Sequence, residues 1–247
     1  MALIELKIYS EVLGTPTEVN VVMPQPGAER EENKKLKCLY LLHGIADDHT
    51  TWVRRTSIER YAEQYGICVV MPYAYRSFYT DMKYGGKYYT YITQELPKII
   101  HGFFNISDKR EDNFIAGLSM GGYGALKIGL LECEHFSAAA GLSSVADIVD
   151  CKKHFANTYV PIFGEDTLIP DDCDLFKLAS LKNNDTLKPR IFMGVGTEDF
   201  LYEGNIALKK HFESLDYDFT YRESKGVHNW AFWDEYIQYV LKWMLDR

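Results

Sequence analysis

Gly117-Leu118-Ser119-Met120-Gly121 fits the pattern G-x-S-x-G, with a strand-like apolar run (NFIA) before it and a helix-like run (GYGALKIGL) after it. In that context the pattern describes a sharp strand-to-helix turn that stands a serine hydroxyl above a sheet. The helix N-terminus there offers free N–H groups to developing negative charge. The glycines have a steric reason: side chains two residues either side of a strained serine would collide with it or with the next strand. Gly122 and Gly124 extend the allowance, letting the helix close on the sheet and a substrate approach the backbone. A phosphate loop is the competing reading of such a turn, but its G-x-x-x-x-G-K-[ST] form needs a lysine that this chain lacks, Lys127 coming too late. The chemistry that fits is nucleophilic catalysis by Ser119, with Ser143 and Ser144, after the next apolar run, as the alternative serines.

A serine hydroxyl needs a base, and the base needs an orienting acid. In an architecture of this kind the chain order is serine, acid, histidine. The run RIFMGVG ends in Thr197-Glu198-Asp199, which offers Asp199 and, in competition, Glu198. Asp199 also suits a helix cap near Leu201. His228, in SKGVHNWAFW, is the histidine that sits in a loop before a terminal helix; His49, His101, His135, His154 and His211 have no partner pattern. A tetrahedral intermediate requires two backbone donors. Met120 N–H, just after the nucleophile, is one, and Ile45 N–H, in the loop LLHGIADDHTTW, is the other. Asp47, Asp48 and His49 in that loop are consecutive turn residues and a weak ligand set, so no metal is expected.

Eight short runs read as strands. ALIELKIYS and TEVNVVMP form an N-terminal antiparallel pair. CLYLLHG, ICVVMP, NFIAGLS, FSAAAGLS and RIFMGVG are nearly continuous apolar runs, as strands buried on both faces of a parallel sheet are, and DFTYRE is the last. Helix-length segments at 51–65, 89–101, 120–133, 203–215 and 230–245 alternate with them. The chain therefore reads as one α/β domain over residues 1–247, with a mostly parallel sheet of about eight strands and helices on both faces. The segment 143–188 breaks the rhythm with roughly 45 residues lacking a buried strand, the length of a lid or cap. Its Phe155, Tyr159, Phe163 and Phe176, together with Tyr75, Phe78, Tyr79 and Tyr84 and with Trp230 beside His228, are candidates for pocket walls; Trp230, Tyr79 and Tyr84 are singled out as substrate-binding.

The formal charge of −8, with 35 acidic against 27 basic residues, gives no pull toward nucleic acid or an anionic membrane. No run approaches the ~18 apolar residues of a membrane span, and no basic-then-apolar leader opens the chain, so a cytoplasmic protein is expected. Lys34–Lys37 beside Glu29, Glu31 and Glu32 reads as a solvated loop. Five scattered cysteines (Cys38, Cys68, Cys133, Cys151, Cys173) suggest neither a disulfide framework nor zinc, and the three in apolar runs, Cys38, Cys68 and Cys133, read as buried thiols.

LYLLHGIADDHTTW, GLSMGGYGALKIGL, GTEDFLY and GVHNWAFW together resemble the esterase D or tributyrin esterase-like (feruloyl esterase-like) branch of the α/β-hydrolase superfamily, from about Leu36 onward. The resemblance implies the α/β-hydrolase fold, with Ser119, Asp199 and His228 as the triad and Ile45 and Met120 as the oxyanion hole. It implies a serine carboxylesterase that needs no cofactor and acts on short-chain acyl or aryl esters, hydroxycinnamoyl esters included. S-formylglutathione hydrolases of this branch carry serine, in an S-G-L-T-C context, where this chain has His43; that departure turns the expectation away from the glutathione thioester. Thioester hydrolysis and acyl transfer to an alcohol share such a site and stay as alternatives. A binding scaffold of the same fold would tend to lose triad members, and none is lost. The expected partner is a small-molecule ester, with a homo-oligomer left open.

Overall fold

The computed structural model describes residues 1–25, 35–149, 156–165 and 169–245; the loop lysine Lys34 with Glu29, Glu31 and Glu32, and also Cys151, His154 and Phe155, lie outside them. The eight expected strands form one sheet in the order β1-β2-β4-β3-β5-β6-β7-β8. β1 (Ala2–Ser10) and β2 (Thr15–Met23) are antiparallel, and β2 is antiparallel to β4 (Cys68–Pro72). β3 (Cys38–Leu42), β4, β5 (Asn113–Leu118), β6 (Ala138–Leu142), β7 (Arg190–Gly196) and β8 (Phe219–Ser224) run parallel. Every residue of β3 to β6 is buried, which is why their sequences are continuous in apolar character rather than alternating. The alternation survives in the packing: Tyr40 and Leu42 face one core while Leu39 and Leu41 face the other. Four cysteines, Cys38, Cys68, Cys133 and Cys173, are free thiols in these interiors.

The expected helix 51–65 is two helices, α1 (Thr51–Arg55) and α2 (Ile58–Tyr65). Thr56 is extended, its hydroxyl donates to Trp52 O and accepts Ile58 N–H, and Asp234 takes the Ser57 N–H. One threonine thus satisfies backbone groups at both helix ends, and local side-chain bonding wins over helix continuation. Residues 88–103 are α3 (Tyr88–Thr90), a π-helical turn (Tyr91–Glu95) and α4 (Leu96–Phe103). α5 (Met120–Leu131) is buried from Met120 to Leu130 against the sheet.

Between β6 and β7 the described residues hold α6 (Ala156–Phe163), a 3₁₀ turn (Asp171–Cys173) and α7 (Leu175–Lys182), the last capped by the Asp174 carboxylate. α6 is seated on the loop after β4: Lys83 N–H and Tyr84 N–H donate to Ile162 O and Pro161 O, supplying partners that a helix C-terminus lacks, and Arg76 donates to Thr158 Oγ1. Tyr123 of α5 donates to Cys173 O. α8 (Tyr202–Glu213) and α9 (Trp230–Leu245) complete the layers, and no described helix is long and apolar enough to cross a membrane.

Candidate active site

Ser119 occupies the turn between β5 and α5 with φ 53° and ψ −116°, a region that L-residues adopt only under constraint. The constraint is visible in its neighbours. A Cβ on Gly117 would stand 2.3 Å from Gly121 O, and one on Gly121 would stand 2.5 Å from Leu42 O and 2.6 Å from His43 O. The turn and the end of β3 therefore touch backbone to backbone, and only hydrogen fits between them. Ser119 N–H donates to Leu142 O at 2.8 Å, which fixes the turn to β6 as well.

Two other loops meet this turn. A Cβ on Gly196 would come 2.3 Å from Gly226 O, so the chain leaving β7 and the chain leaving β8 also lie in direct backbone contact. That contact brings Asp199 to His228: Nδ1 lies 2.9 Å from Asp199 Oδ2 and 3.1 Å from Oδ1. His228 Nε2 lies 3.0 Å from Ser119 Oγ. With the carboxylate on Nδ1, that nitrogen carries the proton and Nε2 presents its lone pair to the serine hydroxyl. Burial pushes the Asp199 carboxyl up, but the His228 hydrogen bond and charge, Leu201 N–H and the Ser143 hydroxyl outweigh it and hold the group below the usual range. Asp199 is thus both cap and partner, since Oδ1 accepts Leu201 N–H at 2.8 Å on the way into α8. Glu198 points elsewhere, half exposed, with Lys225 Nζ 3.7 Å away.

The loop after β3 passes over the start of α5. Ile45 N–H donates to no acceptor among the described residues, and Met120 N–H, first in α5, has no intrahelical partner. Behind this loop His43 is buried; its Nδ1–H donates to Gly44 O at 2.7 Å and its Nε2 accepts Ala74 N–H at 2.9 Å. Burial lowers its pKa to about 4, so the ring is a neutral strut. Asp48 caps the turn into α1 through Thr50 and Thr51 rather than joining Asp47 and His49 in a ligand set.

The aromatic expectations divide. Tyr79 is fully buried, its ring where a side chain on Gly124 would be and its hydroxyl donating to His43 O, so it braces the loop and is no pocket wall. Phe78 is buried against Tyr123, Tyr159 and Phe163 pack on each other, and Phe176 packs on His211. Tyr84 is 63% exposed and, with Tyr75, Arg76, Tyr88 and Asn157, lines a cleft of about 420 Å³ between the loop after β4 and α6. Trp230 is half-buried between Trp52 and Trp233. Two neighbours of the site were not expected from sequence: Phe200, 64% exposed with its ring 4.6 Å from that of His228, and Trp233, edge-on to His228 at 4.9 Å; Ser143, the alternative serine, is buried and accepts the Trp233 indole N–H instead. Phe200 is adjacent to Asp199 in the chain, and that adjacency is the one signal that pointed to it.

Residues 10–244 match the family described as putative esterase. The chain is 32% identical to an acetyl esterase of Caldicellulosiruptor saccharolyticus, over 99% of this chain and 98% of that protein. Among solved structures it is 33% identical to a substrate-bound, fluorophosphonate-binding serine hydrolase of Staphylococcus aureus, with a TM-score of 0.92 over 100% of this chain and 99% of the other. It is 32% identical to an S-formylglutathione hydrolase of the same organism, with a TM-score of 0.88 over 99% and 98%. Sheet order, elbow and full-length likeness agree: this chain belongs to the putative esterase family, as a serine ester hydrolase on the α/β-hydrolase fold.

Proposed function

We propose that the chain hydrolyses short-chain carboxylic esters through an acyl-enzyme on Ser119. The observation that carries this reading is the unbroken hydrogen-bonded path from Ser119 Oγ through His228 to Asp199. His228 Nε2 takes the hydroxyl proton as Oγ attacks the ester carbonyl, and Asp199 steadies the imidazolium. The N–H groups of Ile45 and Met120 receive the oxyanion. Collapse expels the alcohol with the proton from His228; water, deprotonated by the same imidazole, then attacks the acyl group and the carboxylic acid leaves. Side chains and water complete each step.

The acetyl esterase relative supports a small acyl group. A second reading, thioester hydrolysis, is favoured by the S-formylglutathione hydrolase relative. His43 does not count against it, because that side chain is buried behind the oxyanion loop and holds Ala74 rather than facing an acyl acceptor. The described helix α6 of the segment 143–188, with Tyr84 beside it, is the proposed wall of the acyl-binding side, and Trp230 is a further proposed substrate contact.

Ser119→Ala is expected to fold with an unchanged melting profile and to lose about 10⁴-fold or more in kcat. Retention of a tenth of the rate would move the nucleophile elsewhere. A panel of p-nitrophenyl acetate and butyrate, methyl ferulate and S-formylglutathione, run on the wild type and on Tyr84→Ala, separates the acyl, aryl and thioester readings. An unchanged ranking in the variant would remove Tyr84 from the site.

A further inference from the structure

A groove of about 630 Å³ lies between α4 and the turn that joins α5 to β6, a volume usual for a small-molecule site. β5 runs from Asn113 in its floor to Leu118 next to Ser119, so groove and triad lie at opposite ends of one strand, about 20 Å apart. Tyr40 reaches the floor from the neighbouring strand, β3, with 1% of its surface exposed. Its hydroxyl has no hydrogen-bond partner among the described residues, and burial pushes its pKa up, so it is a neutral phenol with donor and acceptor both free. A buried hydroxyl in that state costs stability, and the groove is where a partner can enter. Asn113 pairs with Cys38, two residues before Tyr40, and so faces the same side of the sheet. Its amide nitrogen donates to Ser107 O and to Lys109 O at 2.8 Å each, which fixes the amide and leaves Oδ1 without a donor among the described residues. The floor therefore matches a group that both donates and accepts, as a hydroxyl does.

Pro97 of α4 and Phe136 of the turn supply apolar walls, the Phe136 ring standing edge-on to that of Tyr40 at 5.6 Å. Walls of that kind suit a flat ring. At the mouth the acidic side chains are matched. Asp108 lies 2.9 Å from Lys35 Nζ, and Glu132 accepts the Tyr89 hydroxyl and lies 3.2 Å from His135 Nδ1. Lys98 is exposed there and has no acidic partner among the described residues. A floor that matches a hydroxyl, apolar walls and an unmatched cation at the mouth together describe an aromatic ring with a hydroxyl at one end and a carboxylate at the other.

We propose that this groove is a second binding site, for a hydroxyaryl carboxylate: the ligand hydroxyl sits between the Tyr40 hydroxyl and Asn113 Oδ1, its ring lies against Pro97 and Phe136, and its carboxylate faces Lys98. The site uses no residue of the triad and holds whether or not Ser119 is the nucleophile.

Calorimetric titration of the full chain with 4-hydroxybenzoate, and with benzoate, which lacks the hydroxyl, tests the site. The wild type is expected to bind 4-hydroxybenzoate with a Kd of about 10⁻⁴ M and benzoate about tenfold more weakly. In Tyr40→Phe that preference is expected to shrink to about threefold or less, because the hydroxyl lost from the protein and the one lost from the ligand belong to the same hydrogen bond. Lys98→Met is expected to weaken both acids alike, by about fivefold, and to flatten the dependence of binding on salt; being exposed, it also carries the test if the tyrosine variant fails to fold. Without ligand, Tyr40→Phe is expected to melt at or above the wild-type temperature, since it removes an unpaired buried group. Absence of both heat and melting shift with millimolar 4-hydroxybenzoate overturns the proposal. Binding that neither substitution changes overturns it too, since the acid would then sit elsewhere, the triad included. A Tyr40→Phe variant that melts well below the wild type without ligand would mean that the hydroxyl already has a partner, such as an ordered water, and would likewise overturn it.

Discussion

Two adjacent acids, Glu198 and Asp199, follow the same strand, β7, and the side chains have opposite fates. Asp199 is withdrawn from solvent and faces Nδ1 of His228, whereas Glu198 lies half exposed near Lys225. The expected kinetic consequence is lopsided. Asp199→Asn should lower kcat by about 10³- to 10⁴-fold, because an amide can donate to Nδ1 and stabilise the wrong tautomer; Glu198→Gln should stay within about twofold, as an exposed ion pair contributes little. Steady-state rates of the two variants on one ester decide the matter, and the reverse ranking would make Glu198 the acid. The residue types and their order along the chain were enough to bring Ser119, His228 and this pair of acids to notice. They could not say which acid turns inward, because that depends on the contact between Gly196 and Gly226. Ser143 was legible only as a spare serine at the end of an apolar run; its connection to Trp233 spans two elements far apart in sequence.

At the level of elements, the elbow is a contact between three strand ends rather than a property of one turn. Gly121→Ala would drive a Cβ into Leu42 O and His43 O, backbone atoms of β3 and of the loop that follows it. The variant should lose about 2 kcal/mol or more of stability. Its rate of labelling by a fluorophosphonate should fall further, since the displaced atoms adjoin Ile45. Gly102→Ala is the matched control: it lies in α4 with nothing within 4 Å of the added carbon, and should be neutral or stabilising by up to about 1 kcal/mol. Thermal melts of both variants, with labelling rates alongside, check the contrast; equal effects would mean the elbow tolerates a side chain. The central strands β3 to β6 were readable as runs because burial on both faces leaves almost no polar positions in them. The break between α1 and α2 was hidden, since Thr56 is acceptable inside a helix until its hydroxyl finds Trp52 O. Tyr79 was misread for a similar reason: an aromatic residue looks the same in a core as in a pocket, and the space it fills is set by Gly124, well along the chain.

For the whole molecule, His43 links stability to pH. Its folded pKa of about 4 lies below the ordinary 6.5, so between those values the unfolded chain binds a proton that the folded chain refuses. Stability from this group is complete above about pH 6.5 and falls as the pH drops toward 4, by as much as about 3 kcal/mol. Asp199, held below its usual range, adds a loss of the same sign at still lower pH. Urea melts at pH 7, 5.5 and 4.5 should show this decline in the wild type and a shallower one, each measured against its own pH 7 value, in His43→Gln; equal slopes would exclude His43 as the source. The sheet order has a different consequence. Ser119 sits at the end of a central strand, but His228 follows β8, an outer strand, and is 109 residues further along the chain. A molecule whose last strand and last helix have yet to dock holds the proposed nucleophile without its proposed base. Ester turnover during refolding is therefore a clock for the docking of that edge: burst fluorescence from the core can precede it, but hydrolysis begins only when the final seam has closed.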